Sequence, residues 1–370
     1  MSHDRREFIK AGVIGAAAAV AGIPQIAEAD DKTFKPLNIL VLGGTGFLGP
    51  HMVREALRRG HTVTLFNRAR SNSGLFPDLE TIKGDRDNGL DGLKGRSWDA
   101  VLDNSGYVPR HVQDSARLLA DHTDRYVFTS TVSVYADFNI HNVESSPLAT
   151  IADEAVEDVT GETYGALKAL CEKRVAGEIA ADKLSIIRPT YVCGPGDHTD
   201  RFSYWPVRTR KGGEMAWPGK PGDVIQIIDV NDLANFTLDC VDHQISGIFN
   251  AVNPAGKYTM ADLLEDSQAV SGTTVDPLWM SEDFLYENDL AGSRSIPIWS
   301  PTGGENGGSG TFSGEAARAA GLHNRPERET ARNVLTWWDA QSEERRANMK
   351  AGLSADREAE LIEAWKAKAR

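Results

Sequence analysis

The chain alternates between apolar runs of strand length and stretches whose apolar residues recur at helical spacing. Leu37 to Leu42 is the first run and ends in glycines. From about Phe47 to Arg59, Met52, Val53, Ala56 and Leu57 fall on one helical face, the mark of an amphipathic helix. Gly60 stops it, and Thr62 to Phe66 is rich in β-branched residues. A strand, a helix and a strand joined by short connections form the unit of a parallel sheet. The alternation continues through Ala100–Leu102 as strand, Val112–Ala120 as helix, Tyr126–Thr129 as strand, Tyr164–Ala181 as helix and Leu184–Ile187 as strand. These units predict an α/β protein, with a Rossmann-type doubly wound parallel sheet over residues 37–195.

Beyond about Gly194 the pattern loosens and Gly, Pro and Trp become frequent. Residues 196–340 read as a smaller C-terminal substrate-binding region, with the chain returning to the sheet near 225–252. Gly303 to Gly314 reads as a long loop, Glu327 to Asp339 as a helix, and 341–370 as a charged helical tail. Trp205, Trp217 and Trp299 are expected in a core.

Composition narrows the classes. Of 370 residues, 41% are hydrophobic and 25% charged, which supports a core and opposes global disorder. The net charge of −13 argues against a nucleic-acid or anionic-membrane binder. Cys171, Cys193 and Cys240 share no metal-ligand spacing. They read as small buried hydrophobes, and no metal is expected. The start has a basic head, an apolar run from Ala11 to Ile23 and the small-x-small site Ala27-Glu28-Ala29. That is the layout of a signal peptide over 1–29. The run falls short of the ~20 residues that span a bilayer. Arg5-Arg6-Glu7-Phe8-Ile9-Lys10 resembles the twin-arginine motif. It implies the twin-arginine export machinery as a partner and a periplasmic or otherwise extracytoplasmic location. An uncleaved anchor is the alternative.

Gly43-Gly44-Thr45-Gly46-Phe47-Leu48-Gly49 spaces its glycines as GxxGxxG between a strand and a helix. That context makes it a dinucleotide loop. Gly43 turns the chain, Gly46 admits a pyrophosphate, and Gly49 lets helix pack on strand. The helix N-terminus offers free N–H groups to the phosphates. At the end of the second strand an acid would favour NAD. Asn67 stands there instead, followed by Arg68 and Arg70. An arginine at this point can pair with a 2′-phosphate, so NADP is favoured over NAD. Asp85 is expected at the adenine amino group. Asn104, Ser105 and Gly106 follow the next strand, where small residues leave room for the cofactor.

Tyr164 and Lys168 form a YxxxK pair on one helical face. A phenol of pKa ~10 is a poor base at neutral pH, but neighbouring positive charge favours phenolate. Tyr164 can then exchange the proton of an alcohol as hydride moves, with Lys168 also holding the nicotinamide ribose. Upstream, Thr129-Ser130-Thr131-Val132-Ser133-Val134-Tyr135 is a strand end rich in hydroxyls. Together with Arg188-Pro189-Thr190-Tyr191-Val192-Cys193-Gly194-Pro195 and Ile228-Asp229-Val230-Asn231-Asp232, these blocks resemble the extended short-chain dehydrogenases, the family of UDP-galactose 4-epimerase. The resemblance covers roughly 37–250. It implies Thr131 as the third member of the site, with Ser130 and Ser133 as competitors. Arg188, Pro189 and Thr190 would sit at the nicotinamide end, and Asp229 and Asp232 would anchor the substrate domain. A homodimer paired through two sheet-domain helices is also implied. Arg201 and Arg208 either bind an anion or lie on a surface loop.

The expected activity is NAD(P)-dependent hydride transfer at a secondary alcohol of a small, sugar-like molecule, by an epimerase or oxidoreductase that keeps its cofactor tightly bound. Export sharpens this, because cofactor lost outside the inner membrane would not be replaced. A dehydratase fits less well, since Ser133 and Val134 follow Thr131 where an Asp-Glu pair is expected. The competing class is a non-catalytic cofactor-binding, RNA-binding or assembly protein of the same fold.

Overall fold

The computed structural model describes residues 35–368 apart from 71, 73, 292–294 and 302–310. The expected export signal at 1–29 and most of the expected loop at 303–314 lie outside the described residues. The first half of the chain runs β1 (Asn38–Leu42), α1 (Leu48–Arg58), β2 (Thr62–Asn67), β3 (Glu80–Lys83), β4 (Trp98–Asp103), α2 (Pro109–Leu119), β5 (Thr123–Thr129), α3 (Tyr164–Glu178) and β6 (Leu184–Pro189). Next come β7 (Tyr191–Cys193), α4 (Tyr204–Thr209), β8 (Glu214–Pro218), β9 (Ile227–Asp229), α5 (Val230–Asp242), β10 (Gly247–Ala251), α6 (Met260–Ser271) and β11 (Asp276–Met280). The chain closes with α7 (Glu282–Glu287), α8 (Glu315–Ala319), α9 (Glu327–Asp339), α10 (Glu343–Ala347) and α11 (Ala355–Lys368).

Seven parallel strands form the main sheet in the order β10-β6-β5-β4-β1-β2-β3. After Asn38, strand β1 reads as an unbroken apolar run because both of its faces are covered. Ile39 and Val41 pack with Met52 and Val53 of α1 and Phe236 of α5. Leu40 and Leu42 pack on the other face with Val112 and Ala116 of α2 and Val175 of α3. Successive strands leave β1 in opposite directions, to β2 on one side and β4 on the other. Such a reversal opens a crevice at the carboxyl ends of the strands. Strand β3 was not expected, because Glu80-Thr81-Ile82-Lys83 sits at the sheet edge and carries one apolar residue.

The second half re-enters the sheet. Strand β9 pairs with β7, α5 follows, and β10 joins the edge beside β6. Asp229 caps α5 and accepts from Thr330, while Asp232 is paired with Arg325. A separate core gathers Trp205, Trp217, Trp299, Phe284, Leu361 and Ile362 around the β8–β11 pair. All three cysteines are buried and free.

Two boundaries differ from expectation. Helix α3 ends at Glu178, where Ile179 turns to extended backbone, rather than at Ala181. The segment 341–370 is not one tail. It breaks between α10 and α11, and α11 buries Leu361 and Ile362 in the second core.

Candidate active site

A cleft of about 1000 Å³ lies over the carboxyl ends of β1, β4 and β5. Its floor at one end is the glycine loop. Gly43 adopts φ +92°, and a Cβ on Gly49 would stand 2.4 Å from the Gly43 carbonyl oxygen. The helix therefore starts in direct contact with the turn before it. A Cβ on Gly46 would meet nothing within 4 Å, so backbone alone faces open space there. No side chain caps the N-terminus of α1. Its N–H groups and dipole are thus available to an anion. These features fit the pyrophosphate of a dinucleotide.

Thr45, Gly46, Phe47, Leu48, Asn67, Arg68, Asp85, Asn104 and Ser105 line this end of the cleft. The Asn67 Oδ1 accepts the Ala69 N–H at 2.8 Å, which leaves the amide NH₂ outward. Arg68 and Arg70 are exposed on the same rim. Gly106 differs from expectation. It does not line the cleft, and Val112 and Phe128 fill the space where its side chain would be. Its carbonyl instead accepts a hydrogen bond from Lys168 Nζ at 2.6 Å.

The other end gathers Thr131, Tyr164, Lys168, Pro189 and Thr190. Tyr164 is the first residue of α3, and Gly165 explains its position. A Cβ at Gly165 would lie 2.2 Å from the Ser133 carbonyl oxygen, so only glycine lets α3 begin against the hydroxyl-rich turn. Thr131 caps that turn, accepting from the Ser133 N–H and donating to the Ser133 Oγ. Ser130 is buried with its Oγ unpartnered. Burial raises the Tyr164 phenol to about 12, the neighbouring Tyr107 pushes the same way, and a hydrogen bond with Thr131 opposes them. Burial also pushes the Lys168 ammonium down to about 8. Its Nζ donates to Thr129 and Gly106 carbonyls and lies 4.2 Å from the Phe128 ring centroid.

Arg188 does not reach the nicotinamide end. It is 1% exposed and forms a double hydrogen bond with Glu172 at 2.9 and 2.6 Å, with further bonds to Tyr135 and the Glu144 carbonyl. Tyr107 was not anticipated. Its ring stands 6.4 Å from that of Tyr164 and 5.6 Å from Lys168 Nζ. Its place just after Asn104-Ser105-Gly106 was the available signal. Phe138 and Phe312, which form an aromatic wall 6.1 Å apart, had no signal in the sequence. Among the described residues no cluster of His, Cys, Asp or Glu is arranged to hold a metal.

The model of the NAD dependent epimerase/dehydratase family matches residues 39–251, more than half of the chain. Chloroplast stem-loop binding protein of 41 kDa b from Arabidopsis thaliana is 25% identical over 265 residues, covering 65% of this chain and 64% of that protein. The 2-alkyl-3-oxoalkanoate reductase of Stenotrophomonas maltophilia is 30% identical over 187 residues, covering 44% of this chain and 52% of the relative. Both matches thus span less than two thirds of the relatives' length. The Bordetella bronchiseptica enzyme WbmG in complex with NAD and UDP superposes with a TM-score of 0.61 at 16% identity, covering 87% of this chain and all of the other. Human epimerase family protein SDR39U1 with NADPH superposes with a TM-score of 0.56 at 20% identity, covering 80% and 97%.

Proposed function

Because the chain belongs to the NAD dependent epimerase/dehydratase family, we propose that it catalyses hydride transfer between a dinucleotide and a secondary alcohol or ketone, with Tyr164, Lys168 and Thr131 at the reacting carbon. The observation that carries this is the convergence of phenol, ammonium and hydroxyl on one cleft with the open glycine turn. A nicotinamide dinucleotide held there would supply or accept the hydride.

The chain's own groups then handle the proton. With its phenol at about 12, Tyr164 is protonated at neutral pH and ready to donate to a carbonyl oxygen. In the opposite direction it must become phenolate. One positive charge at about 4 Å contributes about 4 kcal/mol at an effective dielectric of about 20, worth about three pKa units. Arg201, whose charge already pulls the phenol down, is one source; Lys168 and a cationic ligand are the others. Thr131 donates to the substrate oxygen and orients it. Lys168, tied to two carbonyls, is held where it can both bias the phenol and bond a ribose hydroxyl.

Arg68 and Arg70 on the rim, with no acid at Asn67, support NADP over NAD. The basic head, apolar run and cleavage site support twin-arginine export and an extracytoplasmic location. On that reading the cofactor travels bound and is regenerated within the site, by epimerisation or by pairing two substrates. An alkyl keto acid for one relative and a uridine nucleotide for one structural neighbour mark two substrate chemistries, and the fold alone does not choose between them.

The test is Tyr164→Phe in the exported protein. We expect turnover to fall by ~10²-fold or more, with dinucleotide affinity unchanged. Unaltered turnover, or a cellular role indifferent to the substitution, would support a non-catalytic protein of the same fold instead.

A further inference from the structure

We infer that the substrate carries a single carboxylate held by Arg201 and an apolar body seated against Phe138 and Phe312. This deepens the hydride-transfer reading and rests on it.

The two arginines of the substrate region have different fates. Arg208 is spent. Its Nε meets Glu358 at 2.5 Å, and its terminal nitrogens donate to the Gly212 and Glu214 carbonyls. Arg201 lines the cleft that Tyr164 lines. Its Nε donates to Thr199 Oγ1 at 2.9 Å, and Thr199 in turn donates twice to Asp197 Oδ1. Its guanidinium lies 5.1 Å from the Tyr191 ring centroid. The side chain is therefore fixed at its neck and over one face. Neither terminal nitrogen has a partner among the described residues. A guanidinium held in this way presents a two-pronged donor that matches a carboxylate.

The surroundings argue for a monoanion. Asp200, the adjacent acid, is fully buried and committed to Arg345 and the Lys350 N–H. It holds the turn bearing Arg201 and does not neutralise it. Asp197 is 1% exposed and makes no ion pair with Arg201, but its charge is close by, and its Oδ2 has no partner. Lys168 is occupied by Gly106 and Thr129. At this end of the cleft one guanidinium with unpartnered terminal nitrogens lies near one acid, which suits a single negative charge better than a diphosphate. Phe138 and Phe312 give the cleft an apolar patch. Gln226 grips the Phe312 backbone from both sides, donating to its carbonyl and accepting its N–H. Phe312 in turn stacks on Tyr135 and meets Phe138 edge to face.

The experiment is calorimetric titration of the dinucleotide-loaded exported protein. The probes are 3-hydroxybutyrate, 3-hydroxyoctanoate and 3-hydroxydodecanoate, their methyl esters, and uridine diphosphate. We expect each acid that binds to do so at least ~10-fold tighter than its ester, equivalent to ~1.4 kcal/mol, with the longer chains tighter. Arg201→Gln should erase the acid-over-ester preference and leave ester affinity, dinucleotide affinity and thermal midpoint as they were. Arg201→Lys should recover part of it. The inference is overturned if no acid is preferred to its ester, if Arg201→Gln keeps the preference, or if uridine diphosphate displaces the acids. A chain that binds no dinucleotide would sink the hydride-transfer reading itself, and this inference with it. A chain that binds dinucleotide but ignores the acid group would sink this inference alone.

Discussion

Lys168→Met should flatten one limb of the protein's stability against pH. In the wild type, burial depresses the ammonium from 10.5 to about 8. The unfolded chain therefore binds this proton more tightly than the folded one. The cost to stability is full below the folded pKa and fades as pH rises from about 8 to about 10.5. At about pH 7 it amounts to about 3 kcal/mol and at about pH 9.5 to about 1.5 kcal/mol. Methionine is of similar length and never titrates. It does leave the Gly106 and Thr129 carbonyls without their donor, but that loss does not depend on pH. The difference in unfolding free energy between wild type and variant should therefore change by about 2 kcal/mol over this range, the wild type gaining. The other groups around the ammonium do not confuse the reading. Burial pushes the Cys171 thiol to about 11 and Tyr164 to about 12; the titration of these groups in the unfolded chain is common to both proteins and drops out of the difference. The assay is urea denaturation of both dinucleotide-free proteins at matched ionic strength from about pH 7 to about pH 9.5. Parallel curves would refute the burial of Lys168 as a cation.

Three further perturbations probe the dinucleotide end. Gly46→Ala puts a methyl into space that is open without ligand, so thermal midpoint should hold while dinucleotide affinity falls at least ~10-fold. Gly49→Ala drives a methyl to 2.4 Å from the Gly43 oxygen and should destabilise the chain by about 1–3 kcal/mol, read by urea denaturation. Replacing both Arg68 and Arg70 with alanine should weaken NADP by ~10- to 100-fold, as loss of charge-assisted bonds predicts, and leave NAD nearly untouched. Fluorescence titration with each reduced cofactor separates the outcomes, and equal losses for the two would remove the 2′-phosphate assignment.

The parallel sheet was legible because burial on both faces leaves a plain mark. Ile39 to Leu42 are all fully buried, so the strand is apolar from its second residue on and its end is punctuated by glycine. The same logic explains the strand that was not seen. Glu80 to Lys83 lies at the rim, with three of its four side chains in water. The short pairs β7–β9 and β8–β11 escaped for another reason. Three to five residues are too few to show a period, and their partners lie tens of residues away. Helix α11 looked like a solvated tail because charge dominates its composition. Its two buried apolar residues, Leu361 and Ile362, make a stripe too narrow to outweigh that.

The groups proposed to react could be picked out in the sequence because each sits inside a local pattern, YxxxK on one helix turn or hydroxyls at one strand end. What determines their properties could not. The ammonium of Lys168 is tuned by its burial and held by the Gly106 and Thr129 carbonyls, and Tyr164 is placed by a glycine whose meaning appears only when Ser133 is beneath it. The substrate half shows the limit most sharply. Arg201 and Arg208 lie two turns apart in the same stretch, with the same charge and equal claims on an anion. They are told apart by Glu358, on the last helix, which takes one of them out of reach. A second long-range contact, from Arg345 to Asp200, holds the turn that keeps the other in the cleft. Specificity here is thus decided by the C-terminal helices, which never touch the reacting atoms. Grafting 191–218 alone onto a relative should carry the arginines across and lose the difference between them.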